Sequence, residues 1–149
     1  MRLLVLASCL ALTVYAPEAQ DRAGGEPQES DDSLTTLAAR EEALAAHLKT
    51  AHELRQANEL LKAAQLLNRA GHLQLQLYQP EEALATFQDD LKLANQLNNP
   101  VASVDALNGM GAAYLHVGNY KEAIPPLEQA SVAAEQNNYP PGRAEALLL

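Results

Sequence analysis

The sequence predicts an all-α chain of antiparallel helix pairs stacked side by side. Three observations lead there. The quartet Glu41-Glu42-Ala43-Leu44 returns forty residues later as Glu81-Glu82-Ala83-Leu84, and forty later again as Lys121-Glu122-Ala123-Ile124. Other columns keep the same step: Leu67, Leu107 and Leu147; Asn68 and Asn108; Gly71 and Gly111; Phe87 and Leu127; Asn58, Asn98 and Asn138. From Leu34 onward the pattern is helical, and in the stretch around residue 87 Ala83, Leu84, Phe87, Leu91 and Ala94 fall at the spacing of one buried stripe. A fixed period of about 20–50 residues marks units that cannot bury their apolar faces alone and therefore stack on their neighbours.

Residues 1–16 read as an export signal. Arg2 supplies a positive start, and Leu3 to Val14 carries no charge. That run is shorter than the ~20 residues a bilayer span needs. Val14-Tyr15-Ala16 suits a signal peptidase, although Pro17 directly after that cut does not. Leu6-Ala7-Ser8-Cys9 also resembles the bacterial lipobox, in which the cysteine is lipidated. The short stretch before Cys9 and the apolar Leu10-Ala11-Leu12 after it favour an ordinary apolar segment. Cys9 is the only cysteine, so no disulfide is available to the rest of the chain. Residues 17–33 are rich in Pro, Gly and acids and are expected to form a disordered tether.

The helical domain then spans 34–149, with helices expected at about 34–57, 60–77, 80–97, 101–117, 120–137 and 142–149. Asp32 or Ser33 is placed to cap the first. Pro80 fits a first turn, where its missing N–H costs nothing. Glu81, Glu82, Gln88, Asp89 and Lys92 occupy the polar side of that helix. Asn98-Asn99-Pro100 stops one helix, because Asn tolerates the left-handed conformation and the residue before Pro resists helix. Gly118-Asn119 closes the next, with Asn119 as a cap for the helix that follows. Pro125-Pro126 lies beyond a first turn, where Pro removes a hydrogen bond; a kink or a late helix start is expected there. Leu147-Leu148-Leu149 forms an apolar end with no helix to cover it, a face that suits docking or self-association.

Composition narrows the function classes. The chain has 149 residues, 48% of them hydrophobic but only 4% aromatic, which suits closely packed Ala- and Leu-rich helices. Its formal charge is -9, and about half of that lies in residues 18–32. Without a basic patch, nucleic acid and anionic membrane surfaces are poor partners. His47, His52, His72 and His116 offer no metal-binding spacing. The acid pairs Glu41-Glu42, Glu81-Glu82 and Asp89-Asp90 are explained by helix starts and by side chains that diverge around the helix. No phosphate loop and no nucleophile triad is recognisable. The expectation is therefore no catalysis, no cofactor and no metal.

The repeat resembles a tetratricopeptide repeat. Leu107, Met110-Gly111 and Tyr114 match that family's first helix; Gly118-Asn119-Tyr120, Ala123, Leu127 and Ala130 match its turn and second helix. Residues 67–97 match through Leu67, Ala70-Gly71, Ala83 and Phe87, with Gln74 in place of the aromatic and Asp90 in place of the second small residue. Residues 41–57 look like a lone second helix, with His47 where a large apolar residue belongs. The likeness covers about residues 38–149, with units at about 60–97 and 101–137 and incomplete units at both ends. The family's usual period is about 34, and forty fits its longer-helix variants.

The resemblance implies a right-handed α-solenoid with a peptide-binding groove on the first helix of each unit. Gln65, Asn68, His72 and Gln76 would face it from one unit, and Asp105, Asn108, Ala112 and His116 from the next. None of these is Lys or Arg, so the clamp for a terminal carboxylate found in some members is not expected. Gly71 should face Ala83, and Gly111 should face Ala123, because close helix crossings need small residues. The function expected is an exported protein–protein interaction module. Two alternatives are the sensing or oligomerising front of a larger repeat-containing enzyme or signalling protein, and an envelope scaffold lipidated at Cys9.

Overall fold

The computed structural model describes residues 29–148, with side chains placed over 36–147. Residues 1–16, read above as an export signal, Cys9 and the expected tether up to residue 28 lie outside the described residues. Six helices follow one another: α1 (Glu29–Gln56), α2 (Leu60–Gln76), α3 (Pro80–Gln96), α4 (Pro100–His116), α5 (Tyr120–Gln136) and α6 (Pro140–Leu148). There is no strand among the described residues.

The geometric repeat is half the sequence repeat. Each of α2 to α5 has 17 residues. Three-residue turns join them, so a helix starts every 20 residues from Leu60 to Pro140. All five turns stop their helix in the same way. The middle residue takes a left-handed conformation: Asn58, Tyr78, Asn98, Gly118 and Asn138, with φ between 49° and 76°. The amide after it then donates to the carbonyl five residues back, as from Glu59 to Leu54 and from Tyr139 to Ala134, both at 2.8 Å. This double-bonded end satisfies carbonyls that the helix leaves without partners. Gly or Asn supplies four of the five positions. Tyr78 supplies the fifth, at φ 57° and 87% exposed, and for a Cβ-bearing side chain that conformation is costly. Helix starts are equally regular: Pro80, Pro100 and Pro140 each open a helix, and the Asn99 side chain accepts from the Ala102 amide at 3.1 Å.

Sequential helices pack pairwise along the whole stack, and α2 also touches α4, as α4 touches α6. No backbone contact joins α1 to α3 or α3 to α5 among the described residues. The even helices therefore form a tight layer and the odd helices a looser one, bridged at one point by Arg55 and Asp89 at 3.8 Å. The core runs between the layers as three clusters, around Ala51 and Leu67, around Phe87 and Ala113, and around Leu107 and Ala134.

Phe87 is the centre of this core and is fully buried. It fits because glycines flank it on two sides. A Cβ at Gly71 would lie 2.6 Å from its ring, and one at Gly109 would lie 2.3 Å from it. Gly111 does the same for Leu127, at 2.3 Å. The close approaches expected of Gly71 and Gly111 are therefore real, but the nearest neighbours are Phe87 and Leu127, one turn beyond Ala83 and Ala123. A helical side chain covers the turn N-terminal to its own Cα, so the large residue reaches back over the small one.

Three local expectations change. α1 begins at Glu29, so Glu29–Ser33 belong to a helix and not to a tether, and neither Asp32 nor Ser33 stands at the helix start. Acidic residues in a first turn favour helix through the macrodipole. α5 starts at Tyr120 and runs through Pro125 and Pro126 without a late start. Lys121 and Glu122, whose carbonyls lose their helical partners to the two prolines, are exposed and can be hydrated. Asn119 precedes α5 but makes no side-chain cap hydrogen bond.

Candidate functional site

The even layer carries an open polar recess, of about 220 Å³, at the seam between α2 and α4. Gln65, Asn68 and Arg69 enter from α2, Asp105 from α4 and Asp90 from α3, with Ala64 and Ala102 as the apolar floor. Helical spacing explains the α2 set, since residues three and four apart share a face. Asp90 comes from the odd layer and reaches the seam between the two even helices.

The seam is open because two columns depart from the repeat. One unit downstream, Ala130 stands in the column of Asp90 and Gly142 in the column of Ala102. A Cβ at Gly142 would lie 2.4 Å from Val104, so α6 approaches α4 as only glycine allows. The Asn108 amide then donates to the Gly142 carbonyl at 2.9 Å and closes that seam. At the upstream seam the Asn68 amide instead donates to Asp90 Oδ2 at 3.1 Å, and space remains.

Two carboxyls at the recess are shifted upward by burial. Asp90 is 1% exposed, and its Oδ1 has no hydrogen-bond partner. Burial pushes its carboxyl up to about 7; the Asn68 hydrogen bond opposes this, and the nearby Asp105 charge adds to it. Asp105 is also raised, first by burial, with the Tyr139 hydroxyl's hydrogen bond opposing, the Glu145 charge adding and His72 opposing. The Tyr139 hydroxyl is raised by its own burial and by Asp105. Neither aspartate takes part in any of the ion pairs found among the described residues.

The eight residues expected to face a groove divide into groups. Gln65, Asn68 and Asp105 line the recess. Gln76 and His116 are exposed in the last turns of α2 and α4. His72 is half-buried, with its ring edge-on to Phe87 at 5.2 Å between centroids. Ala112 is half-buried against the Phe87 cluster. Asn108 is fully buried, bonded to Gly142 and, at 3.4 Å, to Glu145, so it does not face a groove. Its column position is right, but α6 covers it. Arg69 places a cation at the recess, contrary to the expectation that none lies along the groove. Asp90 was the residue to notice: an acid in a column that wants a small residue.

A second, apolar groove of about 420 Å³ lies between α5 and α6, lined by Ile124, Leu127, Val132, Ala146 and Leu147 among others. Leu147 is 69% exposed, whereas Leu107, forty residues earlier in the same column, is 8% exposed beneath α5. Among the described residues no group of His, Cys, Asp and Glu is arranged to hold a metal ion. No described helix is long and apolar enough to cross a membrane.

Comparison with protein families, with curated proteins and with solved structures finds no match for this chain.

Proposed function

We propose that the chain is a right-handed, tetratricopeptide-like solenoid whose even-helix layer binds an extended protein or peptide segment without catalysis. The observation that carries this reading is the two-layer stack: α2, α4 and α6 adjoin, and the polar recess opens between two of them. A rigid wall with spaced polar groups suits the amides and side chains of an extended chain. The repeat columns Leu107, Met110-Gly111, Tyr114, Ala123 and Ala130 support the family resemblance. Export is part of the same proposal and rests on residues 1–16; recovery of the chain wholly inside the cell with Met1 retained would reject it.

Site-specific photocrosslinking tests the surface. A photoreactive residue at Gln65 or Gln76, on the even layer, should capture partner chains. The same probe at Gln88, exposed on α3, should not. Equal or greater capture from Gln88 would refute the proposal.

The apolar groove favours a second reading for the end of the stack, self-association of two copies through α5 and α6. Its support is the exposure of Ile124, Val132 and Leu147 along one apolar groove. Sedimentation should show a dimer that Leu147→Lys converts to monomer; a monomer in both would refute it.

A further inference from the structure

We infer that the recess between α2 and α4 seats a cationic side chain, the ammonium or guanidinium group of a lysine or arginine in a peptide segment lying along the even layer. The inference rests on the groove reading above and specifies what the groove selects. Two carboxylates, Asp90 and Asp105, converge on one cavity of about 220 Å³. Neither has a cationic partner among the ion pairs of the described residues. Asp90 is almost completely withdrawn from water, one of its oxygens lacks any hydrogen bond, and it lines the cavity. A buried carboxylate in that condition is strongly unfavourable until a cation or donor reaches it.

The groups around the cavity set the sign of the charge it prefers. Asp105 and Glu145 carry negative charge on this face, and Asp90 adds to it as it releases its proton toward an arriving cation, against Arg69 and the ionisable His72. Arg69 makes no ion pair with either aspartate. An ammonium group brings three donors. Asp90, Asp105 and the side-chain oxygen of Gln65 or Asn68 supply the acceptors. The size also fits: the recess is too small for a folded element, and the Ala64 and Ala102 floor can take the aliphatic stem of a lysine.

The test uses the full chain and fluorescence anisotropy with short labelled peptides of serine and leucine. The peptides differ only at a central lysine, glutamine or glutamate. The lysine peptide should bind about tenfold tighter than the glutamine peptide, as one charge-assisted contact implies, and the glutamate peptide should be weakest. Asp90→Asn and Asp105→Asn should each abolish the lysine preference while circular dichroism shows the helices intact. The variant Glu81→Gln, Glu82→Gln removes two charges from the exposed first turn of α3 and should leave the preference unchanged, which excludes general attraction to an acidic protein. Arg69→Gln should tighten lysine binding, and weakening there would count against the inference.

A lysine preference untouched by both aspartate variants overturns the inference. If all three peptides bind alike, and Gln65→Ala with Gln76→Ala weakens them alike, the groove reading survives and the cation pocket fails. If no peptide binds, both fail. If putrescine alone binds as tightly as the lysine peptide, the recess takes a small amine, and the assignment to a peptide is wrong.

Discussion

Asp90→Asn should remove most of the pH dependence of stability between pH 5 and pH 8. The folded carboxyl sits at about 7, against an ordinary value of 3.8. In that interval the unfolded chain has released a proton that the folded chain still holds. Stability therefore falls as pH rises and levels off above the folded value. With those two values, the loss from pH 5 to pH 8 is about 2–3 kcal/mol. Asp105, raised in the same direction, adds to the slope. Asparagine keeps the shape and an acceptor for the Asn68 amide. An unpartnered N–H at residue 90 would cost about 1–3 kcal/mol. That cost is the same at both pH values and cancels in the comparison. Urea denaturation followed by circular dichroism is the assay, and the wild-type midpoint should drop by about 1–2 M between the two pH values. The variant should keep only the smaller slope that Asp105 contributes. Parallel pH curves for the two proteins would show that Asp90 is not held away from water, and the packing of α3 against the seam would be wrong.

Gly109→Ala should lower the melting temperature. Helix propensity alone would favour alanine by about 1 kcal/mol, but its Cβ would meet the Phe87 ring at 2.3 Å, and overpacking costs about 1–3 kcal/mol; a higher melting temperature would mean there is room beside the ring. Tyr78→Gly should raise stability by about 1 kcal/mol in urea titration, because the left-handed conformation at φ 57° costs a side chain about that much and the ring is exposed; a loss would mean the ring makes a contact that matters. Phe87→Ala should cost about 3–5 kcal/mol, as for other fully buried aromatics, and a loss under 1 kcal/mol would remove it from the centre of the core.

Most of the stack was legible because the same few residues punctuate it each time. From residue 60 to 137 the expected helices match the structure to within one or two residues at each end, since Pro opens helices and Asn or Gly closes them. The twenty-residue step was harder to see. From α2 to α5, even and odd helices have equal lengths but different compositions, so only every second helix looks alike in sequence. The start of α1 was missed because the acids at 29–32 serve a tether and a first helical turn equally well. Asn108 was misplaced for a reason that sequence columns cannot supply: whether a groove position is open depends on how near the next unit comes. Gly142 decides that, by letting α6 close over it.

In a regular stack every seam closes in the same way, so a binding recess has to arise where the repeat is broken. Here the breaks are at residues 90 and 102. Replacing the small residue of column 130 by Asp brings a carboxylate to a site that is 1% exposed, and burying it without a cation opposes folding at neutral pH. Alanine in that column, as in the downstream unit, would avoid this penalty and leave the helix pair intact. Nothing in the packing of α3 requires an acid there: Phe87, Ala83 and Ala94 already fill its inner face. A strongly shifted group in a cavity, in a position where the fold alone would do better without it, supports the groove proposed above. The same reasoning separates Asp90 from the other raised acid. Asp105 is half-exposed, has the Tyr139 hydroxyl as a partner and is eased by His72, so its charged form is tolerable in an empty groove, while Asp90 in an empty groove keeps its proton up to about 7 and is costly as a carboxylate above that.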